Sequence, residues 1–509
     1  MDRDIERLAT AQAHNVSGQQ LADHGLFSEA ISSFQAAITL APDYLEAYSN
    51  LGKTYNEAGS FQPALAVCQE MLRLQPNSPA VLQNMAKTYG EMGRLNEALS
   101  YYYQALDLAP ASASAWSDLF LTLNYTFASP EAIFLEHCKF QRFKHLEASL
   151  PSALTGPRFQ LGSEASKLNI GYVSADFREH PVAHLLMPVL KNHNREQFKI
   201  FLYSHTGLKD EVTDLVKQQA DVWQEITTLP DEAVAKLIRD DKIDILIDLS
   251  GHTGSNRLTL FALKPAPVQV SWLGYMNTTG FGAIDYKLTD NFLMPAGTDE
   301  LYTEKLWRLP DSFTFDSLGQ VPAVTSLPAL RTKHFTFASL NNFKKINDRV
   351  IDVWAKILTA VPHSRLLLSA KGDAVFHQEI KERFVRRGID PARLKIIGLK
   401  LLPEFRALFR GIDLLLDTWP FSGLITVYHG LEAGVPSLVL QGETGYGRNG
   451  AAALKKFDLD QFIATSEADY LARALHWTRP ENWAELARIR STIVSTFSKV
   501  NQREAKDIT

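Results

Sequence analysis

Two histidines stand directly after short apolar runs. His180 lies in DFREHP behind LNIGYVSADF, and His252 lies in DLSGHT behind DILID. The carboxyl edge of strands is where open α/β sheets bind ligands, and an imidazole neutral near pH 7 can take or give a proton there. Such a ring would assist attack by a hydroxyl, a weak nucleophile at neutral pH. Asp176, four residues before His180, is the second choice for the same proton, and Pro181 fixes the chain after the histidine. Of the two, His180 is the first choice for that proton, while His252 is expected to line the same cleft; the plainer readings are a capping or core role for His180 and a structural role for His252. Farther on, DTWPFSGLIT precedes a helical pattern through Val427 to Ala433. A helix start offers unpaired N–H groups and a positive dipole end to a phosphate, and Thr426 would add a hydroxyl.

The elements that must position these groups are legible as period and punctuation. From Leu168, the runs LNIGYVSADF, FKIFLYSHT, DILIDLSGHT and VQVSWLGY alternate with helical spacers, the pattern of a parallel sheet in an α/β lobe. A second set, FTFASLNNF, SRLLLSAKG, LKIIG, DLLLDTWP and PSLVLQGE, begins near Phe335 with helices between, such as Arg349 to Val361. Residues 316–332, with Gly319, Pro322 and Pro328, have few periodic apolar positions and read as the connection. Two Rossmann-like lobes are one way to build a nucleotide-sugar site.

The first 112 residues follow a different rule. Gly25, Gly59 and Gly93 are each 34 apart, as are Ala30, Ala64 and Ala98, and Pro42, Pro76 and Pro110. In each unit the alanine lets two helices approach, the glycine takes a turn and the proline follows the second helix. This is the tetratricopeptide repeat. One unit cannot bury its apolar face alone, so the units must stack. Trp116 to Tyr125 reads as a partial fourth unit. Stacked arrays present a groove for a peptide or partner protein, the plainer reading being a spacer or an oligomerisation surface. The predicted division is repeats over 1–125, a helical connection over 126–166, an N-terminal lobe over 167–320 and a C-terminal lobe over 333–509.

At 509 residues, 45% apolar and 21% charged, the chain has ample core for about three soluble domains. A formal net charge of -5, without a long basic run in the candidate segments, argues against nucleic acid or an anionic membrane as partner. The charged start MDRDIERLATAQ and the lack of any stretch near 18 uninterrupted apolar residues point to a cytoplasmic protein. Cys68 and Cys138 are the only cysteines, and Cys68 occupies the repeat core position held by Phe34 and Tyr102, so no disulfide framework is expected.

The repeats, followed in order by DFREHPVAHLLMP, DLSGHTGSNRLTLFALKPAPVQVSWLGYMNTTG, SLNNFKKIND and LLLDTWPFSG, resemble the O-linked N-acetylglucosamine transferase and SPINDLY family over nearly the whole chain. The resemblance implies an inverting, metal-independent glycosyltransferase of the GT-B fold that modifies serine or threonine hydroxyls of intracellular proteins. Its donor would be UDP-N-acetylglucosamine or, in the SPINDLY branch, GDP-fucose, and its repeats would select the acceptor. No cofactor or metal is expected. By resemblance His180 matches the family histidine at the reacting centre. Lys345 matches the lysine on the donor pyrophosphate, where an ammonium neutralises charge on the departing nucleotide, and Asn342 matches a nearby polar contact. GYMNTTG resembles a glycine-rich loop, with Thr278 and Thr279 expected to shape the cleft and Met276 in place of a usual proline. Arg448, in GETGYGRNGAAAL, matches a common arginine and is read with Glu443 as structural or cleft-lining.

Departures cluster at the donor contacts. Leu424 and Ile425 stand where a second side-chain hydroxyl is usual, Phe405 replaces a histidine and Leu402 a lysine. His429 stands where an acidic residue would bind the ribose hydroxyls, with Glu432 one turn later as a substitute. At about 1 kcal/mol each, three or four lost contacts would carry a micromolar donor toward millimolar affinity. Two readings follow: an active transferase with a remodelled nucleotide pocket, or a repeat scaffold whose transferase domain is degenerate. On the resemblance, the repeats would be dispensable for binding nucleotide and needed for modifying protein.

Overall fold

The computed structural model describes residues 2–143, 167–319 and 326–508. Most of the 126–166 connection and part of 316–332 therefore lie outside the described residues. The architecture is a helical repeat region followed by two Rossmann-like lobes of parallel sheet. Its contacts group into two compact units, residues 1–125 with 336–405, and residues 126–335 with 406–509. The sequence-read C-terminal lobe thus contributes to both.

In the first unit the repeats form seven helices, Asp2–Asp23, Phe27–Leu40, Leu45–Ala58, Phe61–Leu74, Pro79–Glu91, Leu95–Leu108 and Ala113–Leu123. The 34-residue registers have the predicted physical content. Ala30, Ala64 and Ala98 are fully buried where helices meet. Cys68 lies in the core, at the same position as buried Phe34 and Tyr102, and burial pushes its thiol up to about 11. Gly59 does more than turn the chain, at φ +78°: a Cβ there would lie 2.6 Å from Cα of Gly372, and its carbonyl accepts the Asp373 amide at 3.2 Å. A repeat tip therefore docks on the second α/β stretch. Phe61 packs edge-on against Phe376 at 4.9 Å, and Phe376 against Phe343 at 5.4 Å. That apolar seam is why residues 336–405 group with the repeats. They carry three parallel strands, Thr336–Ser339, Arg365–Ser369 and Leu394–Ile397, with the middle one paired to both others.

The second unit holds a seven-stranded parallel sheet: β1 (Leu168–Ser174), β2 (Phe198–Ser204), β3 (Val222–Glu225), β4 (Ile245–Asp248), β5 (Val268–Ser271), β6 (Tyr286–Asp290) and β7 (Lys305–Leu309), in the order β3-β2-β1-β4-β5-β6-β7. Order reverses between β1 and β4, so their carboxyl ends open a switch point. Val173, Phe201, Tyr203, Val234, Ile238 and Leu246 fill the core on one side of it. The same unit carries parallel strands Leu414–Leu416, Ser437–Leu440 and Ile463–Ala464, with the helices Ile425–Glu432 and Gly445–Lys455 on either side of the middle strand in sequence.

Candidate active site

β1 delivers its carboxyl end to Asp176 and His180, and His180 caps the helix Pro181–Asn192. Its backbone is extended (φ -157°, ψ 149°), and its Nδ1 accepts the Val182 amide at 3.3 Å. Asp176 Oδ1 lies 3.6 Å from the same nitrogen, with Arg178 at 3.6 Å on the carboxylate. Burial, with Arg178 and His184 adding to it, holds the His180 ring down at about 3, so the imidazole is neutral throughout the physiological range. Burial raises Asp176 to about 6, against the opposing pull of Arg178. An Nδ1 that accepts an amide leaves the neutral ring's proton on Nε2. As placed, the cap occupies the accepting nitrogen of His180, which leaves Nε2 able to donate but not to take the hydroxyl proton for which the sequence put this ring first; Asp176, the second choice, is the group of the pair able to accept one.

His184, one turn on, carries this helix to the second half of the unit. Its ring stacks on Phe315 at 5.2 Å and meets His429 edge-on at 5.5 Å, while Nε2 faces Glu179 and Nδ1 the Asp316 carbonyl, both at 2.7 Å. His429 lies one turn past Thr426 in Ile425–Glu432, so the two rings link the helices one turn in from their starts. No side chain caps Ile425–Glu432, and Thr426 is partly exposed. Asp417 builds the approach to it: Oδ1 accepts the Gly423 amide at 2.8 Å, Oδ2 accepts the Ser422 hydroxyl, and Ser422 Oγ accepts the Gly450 amide at 3.0 Å.

His429 itself departs from expectation. It is buried, and its Nδ1 lies 3.3 Å from Glu432 Oε2, which also stands 3.3 Å from Arg406 Nε. Burial lowers its pKa, Glu432 opposing. Here Glu432 is the partner of His429 in a packed ion cluster, instead of a substitute facing a sugar. Sequence reasoning missed Arg406 and His184, whose partners lie far away along the chain.

The glycine-rich loop is also corrected. Thr278 and Thr279 are fully buried: Thr278 Oγ1 donates to Glu304 at 2.6 Å, the Thr279 amide donates to it at 2.6 Å, and the Thr279 hydroxyl joins them. His252 is buried too, Nε2 at 2.7 Å from the Thr279 carbonyl and its ring edge-on to His137, Phe140 and Tyr275. His137 closes this network through Tyr275, whose hydroxyl is 2.6 Å from Nε2. These side chains brace the loop from within. Small polar residues read as a cleft wall in sequence because the acid that satisfies them stands 25 positions away. Arg448 is likewise spent on backbone, bonding the Gly442 carbonyl at 3.1 Å and the Phe292 carbonyl at 3.3 Å; Glu443 is exposed.

In the other unit, Asn342 opens a short 3-10 turn, Phe343–Lys345. Its Oδ1 accepts the Lys344 amide at 3.2 Å and its carbonyl the Lys345 amide at 3.0 Å. Asn342 is exposed and Lys345 half-buried. Leu402 and Phe405 are partly exposed.

Comparison with known proteins adds an independent line. The glycosyl transferase family 41 model matches residues 154–324 and 323–506, and tetratricopeptide repeat models match 43–111 and 18–59. A probable UDP-N-acetylglucosamine--peptide N-acetylglucosaminyltransferase SPINDLY of Petunia hybrida is 37% identical over 61% of this chain and 34% of its own length. A probable UDP-N-acetylglucosamine--peptide N-acetylglucosaminyltransferase SEC of Arabidopsis thaliana is 32% identical over 54% of this chain and 29% of its own. The matches thus span about a third of these curated relatives. A solved mutant of the Thermobaculum terrenum O-GlcNAc transferase superposes with a TM-score of 0.90 at 30% identity, covering 99% of this chain and 95% of that one.

Proposed function

The chain belongs to glycosyl transferase family 41, and from that membership we propose that it is an inverting protein O-glycosyltransferase. It moves N-acetylglucosamine from UDP-N-acetylglucosamine to serine or threonine hydroxyls of proteins selected by its repeats. The observation that carries this reading is the contact of His184, on the His180-capped helix, with His429, on the helix Ile425–Glu432 whose start no side chain caps. One helix start presents a proton-handling pair, and the other presents free amides to a phosphate.

The acceptor oxygen forms its bond to the anomeric carbon as the bond to the nucleotide phosphate breaks, and the departing diphosphate keeps that electron pair. The hydroxyl proton goes to the Asp176 carboxylate, directly or through one water, since a base near pH 6 suits the task. His180 donates from Nε2 to an oxygen at the reacting centre. Thr426 and the amides of Ile425–Glu432 offer charge and hydrogen bonds to a phosphate, and the family resemblance gives Lys345 the donor pyrophosphate and Asn342 a nearby polar contact, so no resident metal is required. The free thiols and the absence, among the described residues, of a helix able to cross a membrane support a cytoplasmic site of action.

Thermal unfolding with UDP, GDP, UDP-N-acetylglucosamine and GDP-fucose tests the donor. Ligand at about 100 times its dissociation constant stabilises by roughly 2.7 kcal/mol. We expect a shift with the uridine ligands, reduced in Lys345→Ala. A shift with the guanosine ligands alone replaces the donor, and none with any of the four favours the degenerate scaffold.

A further inference from the structure

The seam between the repeats and residues 336–405 ends at the donor turn. Lys344, immediately before Lys345, points away from any nucleotide role: its Nζ lies 3.5 Å from Glu91, at the end of helix Pro79–Glu91, and 5.2 Å from the ring centroid of Tyr125. Tyr125 is itself buried. Phe343, on the other side of Lys344, packs on Phe376 and beneath Arg383, whose guanidinium is 5.6 Å from the ring. A Cβ built on Gly93 of the third repeat would lie 3.8 Å from Phe343 and 3.9 Å from the Ile346 carbonyl. The three-residue turn is thus held at Phe343, Lys344 and Ile346 by residues of the repeat region and the seam. Burial of Lys344 disfavours its charge, but Tyr125 and Glu91 outweigh this and raise its pKa, keeping it cationic.

We propose that Glu91 and Tyr125 are positioning residues for donor binding: by anchoring Lys344 they aim its neighbour Lys345 at the diphosphate, so the repeats are part of the donor site as well as an acceptor surface. This rests on the donor role given above to Lys345. A turn of three residues has few ways to reorient one side chain alone, so releasing Lys344 frees Lys345, and preorganisation is lost. The coupling gives occupancy of the repeat array a physical route to the donor pocket.

The test is calorimetric titration of the full-length chain with UDP. Glu91→Gln and Tyr125→Phe are each expected to weaken binding about fivefold, within the range measured for contacting residues, with thermal unfolding of the unliganded chain unchanged. Glu91→Asp restores most of the affinity because it keeps the charge. In Glu91→Gln/Lys345→Ala the loss equals that of Lys345→Ala alone. If Lys345→Ala weakens UDP and Glu91→Gln does not, or if the two losses simply add, the positioning claim is overturned while the donor role stands. If Lys345→Ala binds UDP like the unmodified chain, the donor role falls and the positioning claim falls with it.

Discussion

At the residue scale, the proposed transfer turns on which nitrogen of His180 holds the proton. The sequence placed His180 correctly at a strand end before a helix and offered capping and proton transfer as alternatives, because the tautomer depends on an amide two residues away that no motif encodes. With Nδ1 committed to Val182, His180→Ala is expected to lower kcat about a hundredfold, the cost of one lost transition-state donor, and His180→Gln, which can still donate, to lose less. Steady-state kinetics with both variants checks this; equal losses would contradict a donor role. Asp176 ionises near pH 6 in the fold, so kcat/KM should fall below that pH and stay level above it. Protonation of His180 near 3 lies outside the window. Asp176→Asn should remove the limb in a pH–rate profile and most of the activity.

At the scale of elements, periodic and punctuated features were legible and non-local ones were not. Alanine, glycine and proline registers gave the repeats because each acts within its own hairpin. Short apolar runs gave nine of the thirteen strands among the described residues; Val222–Glu225, Tyr286–Asp290, Lys305–Leu309 and Ile463–Ala464, of mixed or very short pattern, were not read. The loop 274–280 and His429 were misjudged because their partners, Glu304, His137, Arg406 and His184, come from other elements. The loop also makes a sharp prediction. Gly280 has φ +64°, and a Cβ there would meet the His137 carbonyl at 2.0 Å. Gly280→Ala should destabilise the chain by about 2 kcal/mol or more in urea unfolding. His137 adds a pH dependence. Burial lowers it to about 4 from 6.5, so between those values the unfolded chain takes up a proton that the folded one refuses. Its contribution is intact above about 6.5 and is lost as pH falls through that window. The decline in melting temperature from pH 7 to pH 5 should be shallower in His137→Gln.

At the scale of the whole molecule, the packing of the repeats on residues 336–405 and the positioning role proposed above stand against the expectation that the repeats are dispensable for nucleotide binding. Removing residues 1–112 would uncover Phe343 and Phe376 and release Lys344 from Glu91. The truncated chain is expected to lose UDP affinity along with protein modification; calorimetry with UDP checks the first and mass spectrometry of modified peptides the second. Family membership was legible because its motifs are local and ordered; the division into units was not, because a contact such as Gly59 with Gly372 leaves no trace in either neighbourhood. The central claim is sugar transfer to protein hydroxyls. Its most direct measurement is mass spectrometry of serine and threonine residues in a protein extract incubated with UDP-N-acetylglucosamine and the full-length chain, with Lys345→Ala in parallel. N-acetylhexosamine is expected on specific peptides with the unmodified chain and is expected to be nearly absent with the variant. Peptides left unmodified by a chain that binds UDP would contradict it and leave a nucleotide-binding repeat scaffold in its place.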